Sequence, residues 1–292
     1  MNTLSNIYSI FNIKDADFYN INIEKDLPLF IQPYTVEKLD DDFARRCNII
    51  AVDFFNTVHD KLIKGDFKEA DKIFSSYLSE PKENCFGYSN STAGKGLREL
   101  AHYAMHQILV QPHLINEIRQ IADIQLYVDQ IMHDRVSDIY TNVTRDALND
   151  YTLLQCDKYG MSNFVKEVPF GPYWDVSSHE WVVGAKKNML VINNKPILLT
   201  PKRFLKGSFG PNTMYRNLML TRWIAEDLRN GSSLIKTKKN GEQYITKKDK
   251  DQQLRSNNFI PSKKAIVEYA KLHPNCTQAL RQILDESRKK KK

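Results

Sequence analysis

Between residues 43 and 64, Ile50, Phe54, Val58 and Leu62 recur at every fourth position. That spacing places the four apolar side chains on one stripe of a helix. Gly65 ends the stripe, and Asp66 with Glu69 forms a capping-box pattern opening a second helix that ends before Pro81. A polar loop over 82–96 leads into a helix from Leu97 towards Val110, which Pro112 terminates. Leu114, Ile118, Ile121, Val128 and Met132 predict a helix near 113–132. The longest periodic run predicts a central helix over 136–159, stopped by Gly160. Val136, Ile139, Val143, Ala147, Tyr151 and Leu154 share its apolar side. Asp138, Asn142, Arg145, Asn149, Thr152 and Cys156 form a polar strip opposite. Such a strip faces solvent, a cleft or a partner, so Asn142, Arg145 and Asn149 are candidate partner-facing residues.

After residue 160 the period shortens to that of strands. Phe164 to Phe170 reads as extended, and Trp181–Val183 and Met189–Ile192 read as strands. Asn193-Asn194 turns the chain into a hairpin strand at Pro196–Leu199, where the proline requires an edge or a strand start. A helix near 212–229 uses Met214, Leu218, Ile224 and Leu228. Asn240-Gly241 centres a second hairpin on a two-residue turn. Two short helices, capped by Ser262 and Asn275, close the chain before a disordered tail from Arg288. Residues 1–43 read as irregular, with an extended stretch at Leu27–Pro33. The expected fold is therefore α+β: a mainly helical N-terminal half, then a small antiparallel sheet with hairpins, then C-terminal helices. The expected divisions are a helical part at 1–160, a mixed part packed on it at 161–235 and a basic appendage at 236–292.

Composition supports a folded core, since 14 Phe, 14 Tyr and 3 Trp stand among 292 residues. Charge adds an asymmetry. Residues 236–292 hold 16 Lys/Arg against 6 Asp/Glu, a net of +10, so the remainder carries −3 of the total +7. A concentrated basic end suits a polyanion such as nucleic acid, and it equally suits a solvated surface. Lys236, Lys238, Lys239, Lys247 and Lys248 are its candidate phosphate contacts. Four widely spaced cysteines without a C-x-x-C pair, and no signal peptide, point to a reducing cytoplasm. No apolar run reaches the length of a membrane span, so a membrane partner is not expected.

The densest chemical cluster is His133-Asp134-Arg135-Val136-Ser137-Asp138. Asp134, Arg135 and Asp138 are the candidate catalytic residues. Paired carboxylates hold Mg²⁺ or Mn²⁺ in phosphodiester cleavage, which makes Asp134 and Asp138 candidate metal ligands. The same acids, with Ser137, equally cap a helix, and the sequence leaves both readings open. A restriction-type nuclease core finds only a loose counterpart in Asp175, Glu180 and Lys186-Lys187, with Lys202 as another strand-end lysine. Gly94-Lys95-Gly96 before a helix fails the P-loop pattern, because Ser89 and Gly96 occupy a Gly and a Ser/Thr position. His102 and His106 have the spacing of a metal pair, but Tyr103 stands where the zinc-protease pattern needs Glu.

Asp134-Arg135-Val136-Ser137-Asp138, followed by Thr141-Asn142, resembles the Asp-Arg-[Ile/Val]-Ser-Asp motif of a largely uncharacterised family of bacterial defence-island proteins. Pro28–Pro33, Glu80-Pro81, Gly87-Tyr88-Ser89, Gly94-Lys95-Gly96 and Leu198–Lys202 fit in the same order, so the similarity spans roughly 26–205. The chain departs from the pattern at Gln32, in place of an acid, and at Thr200, in place of a branched apolar residue. It departs again at Met132-His133, in place of glycines. The resemblance implies a shared fold and a role in anti-phage defence, and it implies no catalytic mechanism. Three functional expectations stand together. The first is a defence component acting on or near nucleic acid. The second is a non-enzymatic sensor or adaptor that docks another defence protein or itself. The third is a metal-dependent nuclease.

Overall fold

The computed structural model describes residues 3–8, 15–87, 96–206, 211–257 and 262–289, and it has the expected α+β architecture. The short helix α1 (Leu4–Tyr8) and the strand β1 (Phe30–Ile31) precede α2 (Pro33–Val36). The 43–64 stripe becomes α3 (Asp42–Ile63), where Asp41 caps by accepting the Ala44 N–H at 2.9 Å and all four stripe residues are buried. Gly65 takes φ +76°, and the Asp66 carboxylate accepts the Glu69 N–H at the start of α4 (Phe67–Ser75). The capping box is only half made, since Glu69 reaches Lys72 instead. Gly96 opens α5 (Leu97–Leu109). Gly94 and Lys95 lie outside the described residues.

The two helices expected between Pro112 and Gly160 are each broken. The 113–132 stretch is α6 (His113–Glu117) and α7 (Ile121–Tyr127). Ile118 is extended between them, and the Asp123 carboxylate accepts the Arg119 N–H at 3.0 Å. That local cap carries no glycine or proline signature. The central run starts before Val136 and divides into α8 (His133–Val143) and α9 (Arg145–Lys158). At the joint the Thr144 hydroxyl donates back to the Tyr140 carbonyl at 2.7 Å, a bond that bends helices. Leu154, assigned by periodicity to the apolar side, is 68% exposed, while Asn142, Arg145, Asn149, Thr152 and Cys156 are buried.

The mixed half supplies what buries that strip. β2 (Val165–Pro169), β5 (Lys186–Ile192) and β6 (Lys195–Ile197) form an antiparallel sheet in the order β2-β5-β6. Asn193 and Asn194 both take positive φ, the geometry of a type I′ turn, and Pro196 sits on the edge strand. A hairpin of β3 (Tyr173–Asp175), unforeseen in the sequence, and β4 (Glu180–Val182) sets Trp174 opposite Trp181. Both indoles pack edge-on against Phe54 of α3, at 5.1 and 5.5 Å between ring centroids. β7 (Leu205–Lys206) pairs with β1, which closes the N-terminal segment onto the end of the mixed half.

α10 (Pro211–Asn230) buries Met219 and Leu220, displaced from the face on which Leu218, Ile224 and Leu228 lie. The hairpin of β8 (Lys236–Thr237) and β9 (Gln243–Tyr244) turns through three residues, with Gly241 at φ +83°, and not through two. Three helices follow it, not two: α11 (Lys247–Ser256), α12 (Ser262–Leu272) and α13 (Cys276–Lys289). α13 includes Arg288 and Lys289, where disorder was expected.

The C-terminal fifth contacts the helical body. The Glu117 carboxylate of α6 accepts the Thr277 N–H at 2.9 Å and the Thr277 hydroxyl at 2.8 Å, holding the start of α13. Asp123, 1% exposed, pairs with Arg281 at 2.5 Å. All four cysteines are free and buried. No helix among the described residues is long and apolar enough to cross a membrane.

Candidate functional site

The motif at the start of α8 divides its residues by helical geometry. Val136 and Ser137 point into the protein, 1% and 2% exposed. The Ser137 hydroxyl accepts the Ile31 N–H at 2.9 Å, so it anchors β1. His133 packs edge-on against Phe30, with 4.5 Å between ring centroids. Met132 occupies the N-cap position without a side-chain bond, and Asp134 lies in the first turn. Neither Asp134 nor Ser137 is the cap that the sequence allowed.

Asp134, Arg135 and Asp138 face outwards into a cleft of about 640 Å³. The Glu80–Gly87 segment, the Ile23–Asp26 segment and the β5–β6 hairpin form its other walls. Its floor includes Phe30, Phe86 and Met189. Arg135 is the charge centre: its Nη1 meets Glu80 at 2.8 Å and Asp138 at 3.6 Å, and its Nε meets Asp134 at 3.8 Å. Burial, reinforced by the carboxylates of Asp134, Glu80 and Asp26, pushes Asp138 up to about 8 against the pull of Arg135. Burial also raises Asp26, opposed by Lys195. The Cys85 thiol in the same cleft is pushed up to about 11 by burial, so it stays protonated at neutral pH.

Beneath the cleft the polar strip is internal. Arg145, 2% exposed, donates from Nε to the Pro172 carbonyl and from Nη2 to Asn142 Oδ1, both at 3.0 Å, and pairs with Glu83. Burial lowers its guanidinium to about 10, which leaves it charged at neutral pH. A Cβ at Gly171 would stand 2.8 Å from that guanidinium, so a side chain there would force Arg145 to shift from its hydrogen bonds. Asn142 donates to the carbonyls of Ser79 and Asp138, at 2.7 and 2.8 Å. Asn149 donates to the Asn188 carbonyl, and Thr152 accepts the Leu199 N–H. Asn142, Arg145 and Asn149 therefore bind the protein's own backbone and do not face a partner. Carbonyls from the sheet and from the Ser79 segment accept the strip's amide and guanidinium donors, which offsets their burial, while Asn149 Oδ1 accepts no hydrogen bond among the described residues.

The remaining sequence candidates do not converge. Asp175 and Glu180 lie opposite each other on the β3–β4 hairpin, where Asp175 accepts the Ser178 N–H and hydroxyl. Lys187 pairs with Asp146. Lys202 lies over the Tyr19 ring at 5.9 Å. Neither Glu180 nor Lys202 lines the cleft. His102 contacts Asp71 at 2.8 Å, and His106 is exposed. Among the described residues no group of three or more His, Cys, Asp or Glu side chains is disposed to hold a metal ion. Asp134 and Asp138, the expected Mg²⁺ or Mn²⁺ ligands, both turn to Arg135, at 3.8 and 3.6 Å. The cleft residues Asp26, Glu83 and Lys195 were missed because single charged residues far apart in sequence carry no pattern. Glu80-Pro81 was visible only through the family resemblance.

No curated protein and no solved structure matches the chain. Residues 9–210, the span that carries the motif helix and the cleft, match the family described as a domain of unknown function, DUF8370, and the chain belongs to that family.

Proposed function

We propose that the protein is a cytoplasmic component of a bacterial anti-phage defence system that acts on or beside nucleic acid. The observation that carries the nucleic-acid half is the disposition of lysines on the β8–β9 hairpin and α11. Lys236 pairs with Asp249 and Lys238 with Glu242. Lys239, Lys247 and Lys248 are exposed, without an ion pair among the described residues. Lys247 and Lys248 stand in the first turn of α11, where the helix dipole is already positive and disfavours them. An anion such as phosphate relieves both costs. The Lys236–Asp249 bridge joins hairpin to helix, and Arg216 with Asp251 and Lys250 with Asp227 tie α11 to α10, so the lysines stand on an ordered platform. The resemblance of the Asp134–Asp138 motif supports the defence half.

Fluorescence anisotropy with a labelled DNA duplex and a labelled RNA tests the reading. Affinity is expected to fall steeply with salt, and K239A/K247A/K248A is expected to weaken binding and flatten the slope by about 0.9 for each lost phosphate contact on duplex DNA. Point variants are the appropriate probe, because deleting 236–292 removes helices that pack against the body. No binding at low salt, or undiminished binding by the triple variant, overturns the proposal.

A further inference from the structure

α11 presents an exposed polar stripe. Its buried residues are Lys250, paired with Asp227 of α10, and Leu254, the helix's single apolar residue. Lys248, Gln252 and Arg255 are exposed at spacings of four and three, so they line one side of the helix away from Leu254. At 1.5 Å per residue the stripe runs for about 10 Å. Asp251, beside it, meets Arg216 through Oδ1 and accepts the Arg255 Nε at 3.0 Å through Oδ2. That bond orients the Arg255 guanidinium and leaves both of its Nη groups without a partner among the described residues. The Gln252 amide makes no hydrogen bond among the described residues either. The nearby acids Asp249 and Glu242 are paired with Lys236 and Lys238. Lys239, Lys247 and Lys248 therefore remain as surplus positive charge on and beside the stripe. A protein groove takes a helix through apolar anchors at i, i+3 and i+4, and this stripe has none.

We infer that α11 enters the major groove of duplex DNA, where Gln252 and Arg255 contact base edges while Lys239, Lys247 and Lys248 hold phosphates. This contact rests on the nucleic-acid reading proposed above, and gives it a duplex partner and two base-reading residues. The major groove of B-form DNA is about 12 Å wide and admits an α-helix. A glutamine amide pairs bidentately with adenine, and the free fork of an arginine with guanine, so the stripe suits a short site containing both. The major groove of an RNA duplex is too narrow for such entry.

Selection of random-sequence DNA duplexes on the full chain, followed by sequencing and by anisotropy on the selected duplex, tests the assignment. A short motif is expected to be enriched and to bind about tenfold or more tighter than an unselected duplex at the same salt. Q252A/R255K keeps the net charge, and it is expected to lose that preference while binding unselected DNA within about twofold of the native protein. K239A/K247A/K248A is expected to weaken binding to both duplexes alike. Both stripe residues are exposed, so Q252A/R255K is expected to melt as the native protein does. If it does not, Gln252→Ala alone carries the expectation, as lost discrimination at one position of the motif. Salt-sensitive binding without an enriched motif overturns the inference and leaves the lysine platform standing. So does a motif retained by the stripe variants, or equal affinity for an RNA duplex. Absence of binding to any duplex at low salt overturns both.

Discussion

Asp138 shows how burial alters a single carboxyl. Its value of about 8 stands above the ordinary 3.8, so between them the folded chain holds a proton that the unfolded chain has released. Stability from this group is complete at acid pH and is lost as the pH rises through that window, with a slope approaching about 1.4 kcal/mol per unit. Asp138→Asn removes the dependence. Thermal unfolding at a series of pH values should show the variant gaining on the native protein from about pH 5 to pH 8; parallel curves would sink the assignment of a raised carboxyl. Asp134, Arg135 and Asp138 were legible in the sequence because they are adjacent along one helix. Asp26, Glu83 and Lys195 were not, because chain folding alone brings them to the same cleft. Gly171 was equally silent: only the guanidinium of Arg145 against it explains why a side chain there would displace a neighbour.

Ser137 sets the relation between two elements. Its hydroxyl is the acceptor for the Ile31 N–H, in a buried position. Ser137→Ala leaves that N–H without a partner and is expected to cost about 1–3 kcal/mol. Amide hydrogen exchange at Ile31 should accelerate while exchange in α3 stays slow; unchanged exchange at Ile31 would refute the anchoring role. Element by element, α3, α4 and α5 were readable because an apolar stripe, a cap and a glycine or proline coincide at each. The breaks at Ile118 and Thr144 were not, because a carboxylate from the next helix and a back-bonded hydroxyl make them without a breaker residue. β3 escaped because its three residues are too short to show alternation, although Trp174 with Trp181 fixes its register.

At the level of the whole molecule, the C-terminal helices are docked on the body by carboxylates from α6 and α7. Arg281→Ala would leave the buried Asp123 carboxyl without its ion-pair partner, a loss expected to reach about 3–5 kcal/mol. Denaturant unfolding should show one cooperative transition moved to lower denaturant. A variant that unfolds α13 first, with the body unchanged, would refute the coupling of α13 to the body. The sequence by itself determined the α+β class, the main helical stripes, the hairpin at Asn193-Asn194 and the charge imbalance. Those follow from local periodicity, local turn chemistry and composition. Only the tertiary structure decided that the polar strip of α8 and α9 faces inward. Polarity along a helix marks the groups that need hydrogen-bond partners, and whether water, another protein or the chain's own carbonyls supply them depends on what packs there.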